Sequence, residues 1–359
     1  MGIVGLDRDT LQTAVLAGVF VLVVAAVIHV GGQGVGPDQS GAPNATEIDS
    51  CTTIDTPGRY ELTADITNTT ASTCIRITTS DVVFDANSHM IDGRGTFGTA
   101  GVLVGSFRTS LTNVTVQAAT VTDWDDGIRY INVTNGTIAN TTTAHNRVGL
   151  TLLNASRITV VNNTATANAV YGISLQGDSN ENLLTNNTAT SNALFGIHLV
   201  AGATNNTIVS NTAANNEHGI VLIGADGNIV RNNTATSNRI AGIWLSEADN
   251  NRIVNNTVSN RFYGIYLGDQ SPRNTLASNT ARRNAVGIRL LHSSGNVITA
   301  NIVTGNSVQG ILLLASSETV ITANRLSNNP AAIVVARSDN VTRTNNTIRN
   351  AVSLVNYSL

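Results

Sequence analysis

The chain has 359 residues, room for roughly two or three domains, yet only 12% of them are charged and 4% aromatic. Asn occurs 45 times, Thr 47 times and Lys not once, so all 20 positive charges are Arg. A net charge of −3 excludes electrostatic wrapping of nucleic acid, which needs a basic face, and a hydrophobic fraction of 42% excludes wholesale disorder.

From the N-terminus, a short tail (1–10) precedes twenty residues without a formal charge, 11–30. At helical rise these span roughly 30 Å, one hydrocarbon core. Their length and the lack of a small-x-small site before Gly31 favour an uncleaved transmembrane helix over a cleaved signal peptide. No second apolar span follows, so the tail is expected in the cytoplasm and the rest outside a single-pass cell-membrane anchor. Residues 31–47 read as a Gly- and Pro-containing linker.

Residues 48–100 have a β-rich pattern without the full repeat described below, as expected of a cap that covers an open sheet edge. Cys51 and Cys74 lie here, 74 − 51 = 23 residues apart. If 23 residues make one coil, the two stack about 4.8 Å apart, within disulfide range.

From residue 101 to the end the chain is periodic. Gly-Ile-x-Leu recurs at Gly172, Gly196, Gly219, Gly242, Gly264, Gly287 and Gly310, with looser copies at Gly101, Gly127, Gly149 and Ala332. Successive copies are 22–26 residues apart. Asn keeps the same beat in one row from Asn140 and Asn163 to Asn346, and in a second from Asn168 and Asn192 through Asn306 to Asn350. Leucine-rich repeats have a similar length but need more leucines on the strand, and no 3.6-residue apolar period suggests helices. Each unit instead holds three short β-type runs separated by turn residues. The predicted fold is therefore all-β: a right-handed parallel β-helix of about eleven coils of about 23 residues, on the order of 50 Å long. Ile265, Leu267 and their equivalents should point inward, and stacked Asn amides should bond from coil to coil. Asn-x-Thr sequons such as Asn162, Asn186, Asn232 and Asn255 read as by-products of that stacking, whereas Asn44, Asn68 and Asn356 are the better glycosylation candidates.

The run from Asp81 to Gly95, ending Ile-Asp-Gly-Arg-Gly and followed by the Asn-Asn-Thr and Gly-Ile-x-Leu units, resembles the NosD-like β-helix family, related to carbohydrate-binding and sugar-hydrolase β-helices. The resemblance covers about residues 48–350 and implies the fold. It brings copper handling as one expectation and, from sugar-acting relatives, polysaccharide and calcium as others. The sequence itself specifies no cofactor. The lysine-free composition is similar to that of proteins from extreme halophiles.

Soft copper donors are few, with two Met and six His. His198 and His218, on neighbouring coils, are offset along the strand by on the order of 10 Å and are expected to stand alone and exposed. For polysaccharide cleavage, acid and base groups are required, and the densest acidic spot is Asp123, Asp125 and Asp126 with Arg129 in the following strand. Asp125-Asp126-Gly127 is similar to the paired aspartates of polygalacturonases. Their Gly-His-Gly and Arg-x-Lys partners are missing, as is the Asp-Pro-His-Asp motif of alginate-type epimerases. Arg147 shares the repeat position of Asp125, so an inter-coil ion pair is the expected role, and the even unit lengths leave no long loops to wall a cleft. The x of Gly-Ile-x-Leu points outward and gives a stripe in which Trp244, Tyr266, Arg289 and His198 are the candidate ligand-binding residues: aromatic faces for sugar rings, Arg289 and His198 for acidic or hydroxyl groups. The expected role is a cell-surface structural or binding module, with a polysaccharide lyase or hydrolase and a copper-handling accessory protein as alternatives.

Overall fold

The computed structural model describes residues 45–350 and 352–357. The expected anchor, and most of the linker, lie outside the described residues. Among the described residues no helix is long and apolar enough to cross a membrane. Strand begins at Thr46–Ile48, just before the expected cap boundary.

Among the described residues the chain winds through three long parallel sheets of 14, 14 and 12 strands, most coils contributing one strand to each. The first sheet contains the Gly-Ile-x-Leu strands, from Thr52–Ile54 to Val352–Tyr357. The second runs from Thr46–Ile48 to Thr342–Thr344, and the third from Met90–Asp92 to Thr347–Arg349. This makes about 13 turns, not eleven. The difference lies at the ends: Thr52–Ile54 and Thr73–Ile77 stack below Ala100–Gly105, and Val352–Tyr357 stacks on Ala331–Ala336, although none of these carries the repeat signature.

Inside, most coils contribute an Ile and a Leu from the first sheet, such as Ile265 and Leu267, both fully buried. The second sheet adds Val160, Leu184, Ile208 and their successors. The third adds Ala in its middle coils, as at Ala165, Ala189 and Ala213, and larger aliphatic residues such as Ile91, Val303 and Leu326 towards its ends. The column Ile298–Ile321 ends at Arg343, an exposed charge where a further coil would need an aliphatic side chain.

The turns are held by buried asparagines. Asn187 is typical. Its Nδ2 donates to Val160 O at 2.8 Å and Asn211 Oδ1 at 2.9 Å, and its Oδ1 accepts from the backbone N and Nδ2 of Asn163, both at 3.0 Å. All four hydrogen-bonding positions of the amide are thus filled. This ladder starts at Thr141, which takes the place expected for Asn140, and continues to Asn346. The second ladder starts at Asn146 and ends at Asn329, so Asn350 is not its last rung. Asn140 and Asn350 instead occupy left-handed backbone positions beside the ladders, at φ 54° and 49°. A third row, Asn182–Asn206–Asn228–Asn251–Asn274–Asn296, crosses the remaining corner.

At the N-terminal end Cys51 and Cys74 form a disulfide with their Cα atoms 4.3 Å apart, and the adjacent strands pair Ile54 with Ile77. By the chain-entropy account, closing a loop of this size stabilises by roughly 3 kcal/mol. Reducing the bond in the folded protein should therefore lower the denaturant midpoint, and thiol titration before reduction should find no free thiol. For the ladders, Asn256→Ala leaves the backbone N and Nδ2 of Asn233 and the carbonyl of Val230 without their partner. The expected loss is about 3 kcal/mol or more in chemical unfolding. Asn255→Gly, at the neighbouring φ of 56°, should change stability by less than about 1 kcal/mol.

Candidate ligand-binding face

The outward column of the first sheet has the register the repeat predicts. Ser174 pairs with His198, His198 with Val221, Val221 with Trp244, Trp244 with Tyr266, and Tyr266 with Arg289. A second outward column lies beside it. The glycines point inward: a Cβ on Gly172 would stand 2.6 Å from Gly196 O and 2.8 Å from Asn192 Nδ2. Ile173, the next residue, is also buried in the core. Two successive inward positions shift the phase of alternation, so the residue before each glycine emerges on the same face as x. Tyr171, Phe195, His218 and Tyr263 occupy that column, and strict two-residue alternation would have placed them inside.

The two columns interleave as an aromatic strip. Tyr171 stacks on Phe195 at 5.3 Å and lies 4.5 Å from the His198 ring. Phe195 meets His198 at 5.0 Å and His218 at 5.5 Å, and His218 stacks on Trp244 at 4.7 Å. Tyr263 and Tyr266 are 5.1 Å apart, with the Arg289 guanidinium over both rings at 5.0 and 5.1 Å and donating to the Tyr263 hydroxyl. Trp244 and Tyr266, adjacent in register, thus turn to different partners: the tryptophan to His218, the tyrosine to Tyr263 and Arg289. Nor are the histidines exposed. His198 is 4% and His218 7% accessible, covered by neighbouring rings, with Phe195 between them. Burial holds both imidazoles down to a pKa of about 4, with Glu217 partly opposing this at His218. His198 Nε2, His218 Nδ1, Trp244 Nε1 and Arg289 Nε are buried without a hydrogen-bond partner.

The acidic candidates separate. Asp125 pairs with Arg147 from the next coil, the inter-coil pair expected from their shared repeat position, and accepts from Gly98 N at 3.0 Å. Asp126 pairs with Arg129 at 3.2 Å and accepts from Thr151 Oγ1 at 2.8 Å. Burial raises the Asp126 pKa against the pull of these two partners. Asp123 faces Asp92 instead, and burial with that neighbour's charge raises its pKa too. The four residues are not one cluster.

Loops do wall this end, contrary to the expectation from unit lengths. The segments 93–99 and 106–110 rise beside the sheet and carry Phe97 and Phe107, 84% and 67% exposed. Between them lies a groove of about 240 Å³ lined by Arg76, Leu103, Phe107 and Arg129 among others. A second feature has its signal in acids one coil apart: Asp226, Glu247, Asp249 and Asp269 line a cleft of about 500 Å³ with Gln270 and His292. Burial raises the Asp249 pKa, opposed by Arg273 at 2.7 Å and reinforced by Asp226.

The pattern described as "Right handed beta helix region" matches residues 44–213 and 100–258, together more than half of the chain. The chain belongs to the right-handed β-helix family. The pattern described as "Periplasmic copper-binding protein (NosD)" matches residues 226–357, in keeping with the NosD-like resemblance. Among solved structures, a mutant of the periplasmic alginate epimerase AlgG is similar at 14% identity and TM-score 0.55, over 85% of this chain and 84% of that one. The Dettilon tailspike protein is similar at 20% identity and TM-score 0.57, over 80% of this chain and 60% of that one. At such identities the likeness is one of fold. No curated protein matches the chain.

The described residues offer copper no converging set of donors. The two cysteines are bonded to each other, the rings of His198 and His218 are separated by Phe195, and no group of three or more His, Cys, Asp or Glu is placed to hold a metal among the described residues.

The histidine burial has a measurable consequence. Their folded pKa of about 4 lies below the unfolded value near 6.5. Below 6.5 the unfolded chain therefore binds protons that the fold does not, and stability falls as pH drops from about 6.5 to about 4. Replacing both histidines by Phe should flatten that limb of a stability–pH curve, and NMR titration of the wild-type imidazoles should show midpoints near 4.

Proposed function

We propose that this protein is an exported β-helix module, held at the cell membrane by residues 11–30, that binds polysaccharide along the outward face of its first sheet. The observation that carries the reading is the aromatic strip spanning the coils of Gly172 to Gly287. Flat aromatic rings suit the apolar faces of sugars. Arg289, fixed over Tyr263 and Tyr266, supplies a guanidinium for a carboxylate or hydroxyl. His198, under its covering rings, supports the strip from beneath. The disulfide fits an oxidising compartment, and the fold is one on which the alginate epimerase named above works.

A second reading, cleavage or epimerisation of a polymer, is favoured by one observation. Asp126 is buried, has a raised pKa, and lies beside the groove flanked by Phe107 and lined by Arg129. Its ion pair and its hydrogen bond with Thr151 equally suit a structural role.

A glycan screen with the detergent-solubilised full chain, reading retention and turnover together, tests both. Retention should fall about tenfold, ~1.4 kcal/mol, in Trp244→Ala and again in Tyr266→Ala, while Arg289→Ala should lose acidic glycans selectively. Unchanged retention in all three variants would remove the face from consideration. Turnover of a uronate polymer that disappears in Asp126→Asn would replace binding by catalysis.

A further inference from the structure

The corner between the second and third sheets has a feature that the sugar-binding reading does not touch. At this corner Asn140, Asn162, Asn186, Asn232, Asn255 and Asn345 all adopt left-handed backbone, φ 54–57°, and all are exposed. Each begins an Asn-x-Thr triplet. The triplet is divided by the fold. In Asn162-Asn163-Thr164, the second residue is locked in the buried ladder and the threonine opens a strand of the third sheet. The first residue projects outward, and no side-chain hydrogen bond ties down any of the six amides among the described residues. The ladders therefore do not use the acceptor asparagines; they use the residue that follows.

Other corners differ. On the side leading into the second sheet, several sequon amides are engaged, since Asn132 Nδ2 donates to Ser106 O at 2.9 Å and Asn135 Oδ1 accepts from Arg157 Nε at 3.0 Å. Asn205 and Asn340 on that side, exposed at φ 57° and 53°, share the geometry of the row but stand apart from one another. At the corner bordering the aromatic strip, Asn215, Asn328 and Asn350 hold the left-handed position, yet the residues two further on are Glu217, Pro330 and Val352. None of those three is a sequon.

We propose that the six asparagines form a row of N-glycosylation sites on one edge of the solenoid, placed so that the aromatic strip and the corner of Asn215 and Asn328 stay bare. In the transfer, Nδ2 forms a bond to the anomeric carbon of a sugar carried on a lipid phosphate or pyrophosphate. The bond from that carbon to the phosphate oxygen breaks, the lipid phosphate leaves with the electron pair, and the amide proton passes to a base of the transferase. Asn140, Asn162 and Asn186 are stacked one coil apart, about 4.8 Å, as are Asn232 and Asn255, so attached glycans crowd one another and each group is only partly filled. Asn345 has no sequon neighbour at this corner, since Ala323 and Ala300 precede it in the column.

The test is the full chain exported by a host that N-glycosylates a control protein, with the Cys51–Cys74 bond confirming passage through an oxidising compartment. Site-resolved mass spectrometry should find glycan on this row, with Asn345 filled independently of the others, and none on Asn215 or Asn328. Asn345→Gly keeps the left-handed turn and should remove the mass of one glycan without changing the unfolding midpoint. Disulfide-bonded protein with all six asparagines unmodified, or with glycan only at Asn44, Asn68 or Asn356, would overturn the proposal.

Discussion

The structure depends on one interaction, the buried amide that bonds both up and down the stack. A polar side chain inside a core costs free energy unless every donor and acceptor is matched. In the first two ladders the asparagines meet that condition only when a neighbour of the same kind stands one coil away, as Asn163, Asn187 and Asn211 do. The repeat is therefore enforced by satisfaction as well as by packing. A coil of the wrong length strands the amides of both its neighbours, and the regularity of the chain follows from that penalty. The Ile, Leu and Ala columns fill the remaining space, but hydrophobic burial alone is tolerant of register and would not define it so sharply.

The same constraint explains where the sequence was legible and where it was not. The Gly-Ile-x-Leu beat places the x column, the inward Ile and Leu, the Cys51–Cys74 stack and the Asp125–Arg147 pair, because each needs only a count of residues from one coil to the next. What a count cannot show is which of two adjacent polar residues faces in. Asn140 and Thr141, or Asn328 and Asn329, compete for one ladder position, and backbone handedness decides between them. The third amide row was hidden for a related reason: Asn182, Asn206 and Asn228 keep the period but are lost in a background already dense in Asn.

The binding face was half legible. Alternation assigned Trp244, Tyr266 and Arg289 to one outward stripe, and the pairing register places them there. It missed Tyr171, Phe195, His218 and Tyr263, because the inward-facing glycines shift the phase of the strand one residue earlier than a regular pleat allows. With that second column present, His198 lies under rings, and the tryptophan and tyrosine find partners other than each other. The loops bearing Phe97 and Phe107 were illegible for simpler reasons: Phe97 lies in the cap, before the repeat can be counted, and the 26-residue unit that holds Phe107 is only a few residues longer than its neighbours and gives no sign of where the excess emerges.

The phase shift at the glycines also bears on how such a chain can change. It sets two side chains per coil on the outside while the amides and aliphatic columns that hold the coil together stay within. The stack then works as a ruled page: the lines are fixed by the ladders, and the two outward positions can be rewritten coil by coil. A pair of aromatics in one coil, an arginine in the next and an aspartate near the start are such marks, inscribed on a scaffold whose coils are counted out by other residues.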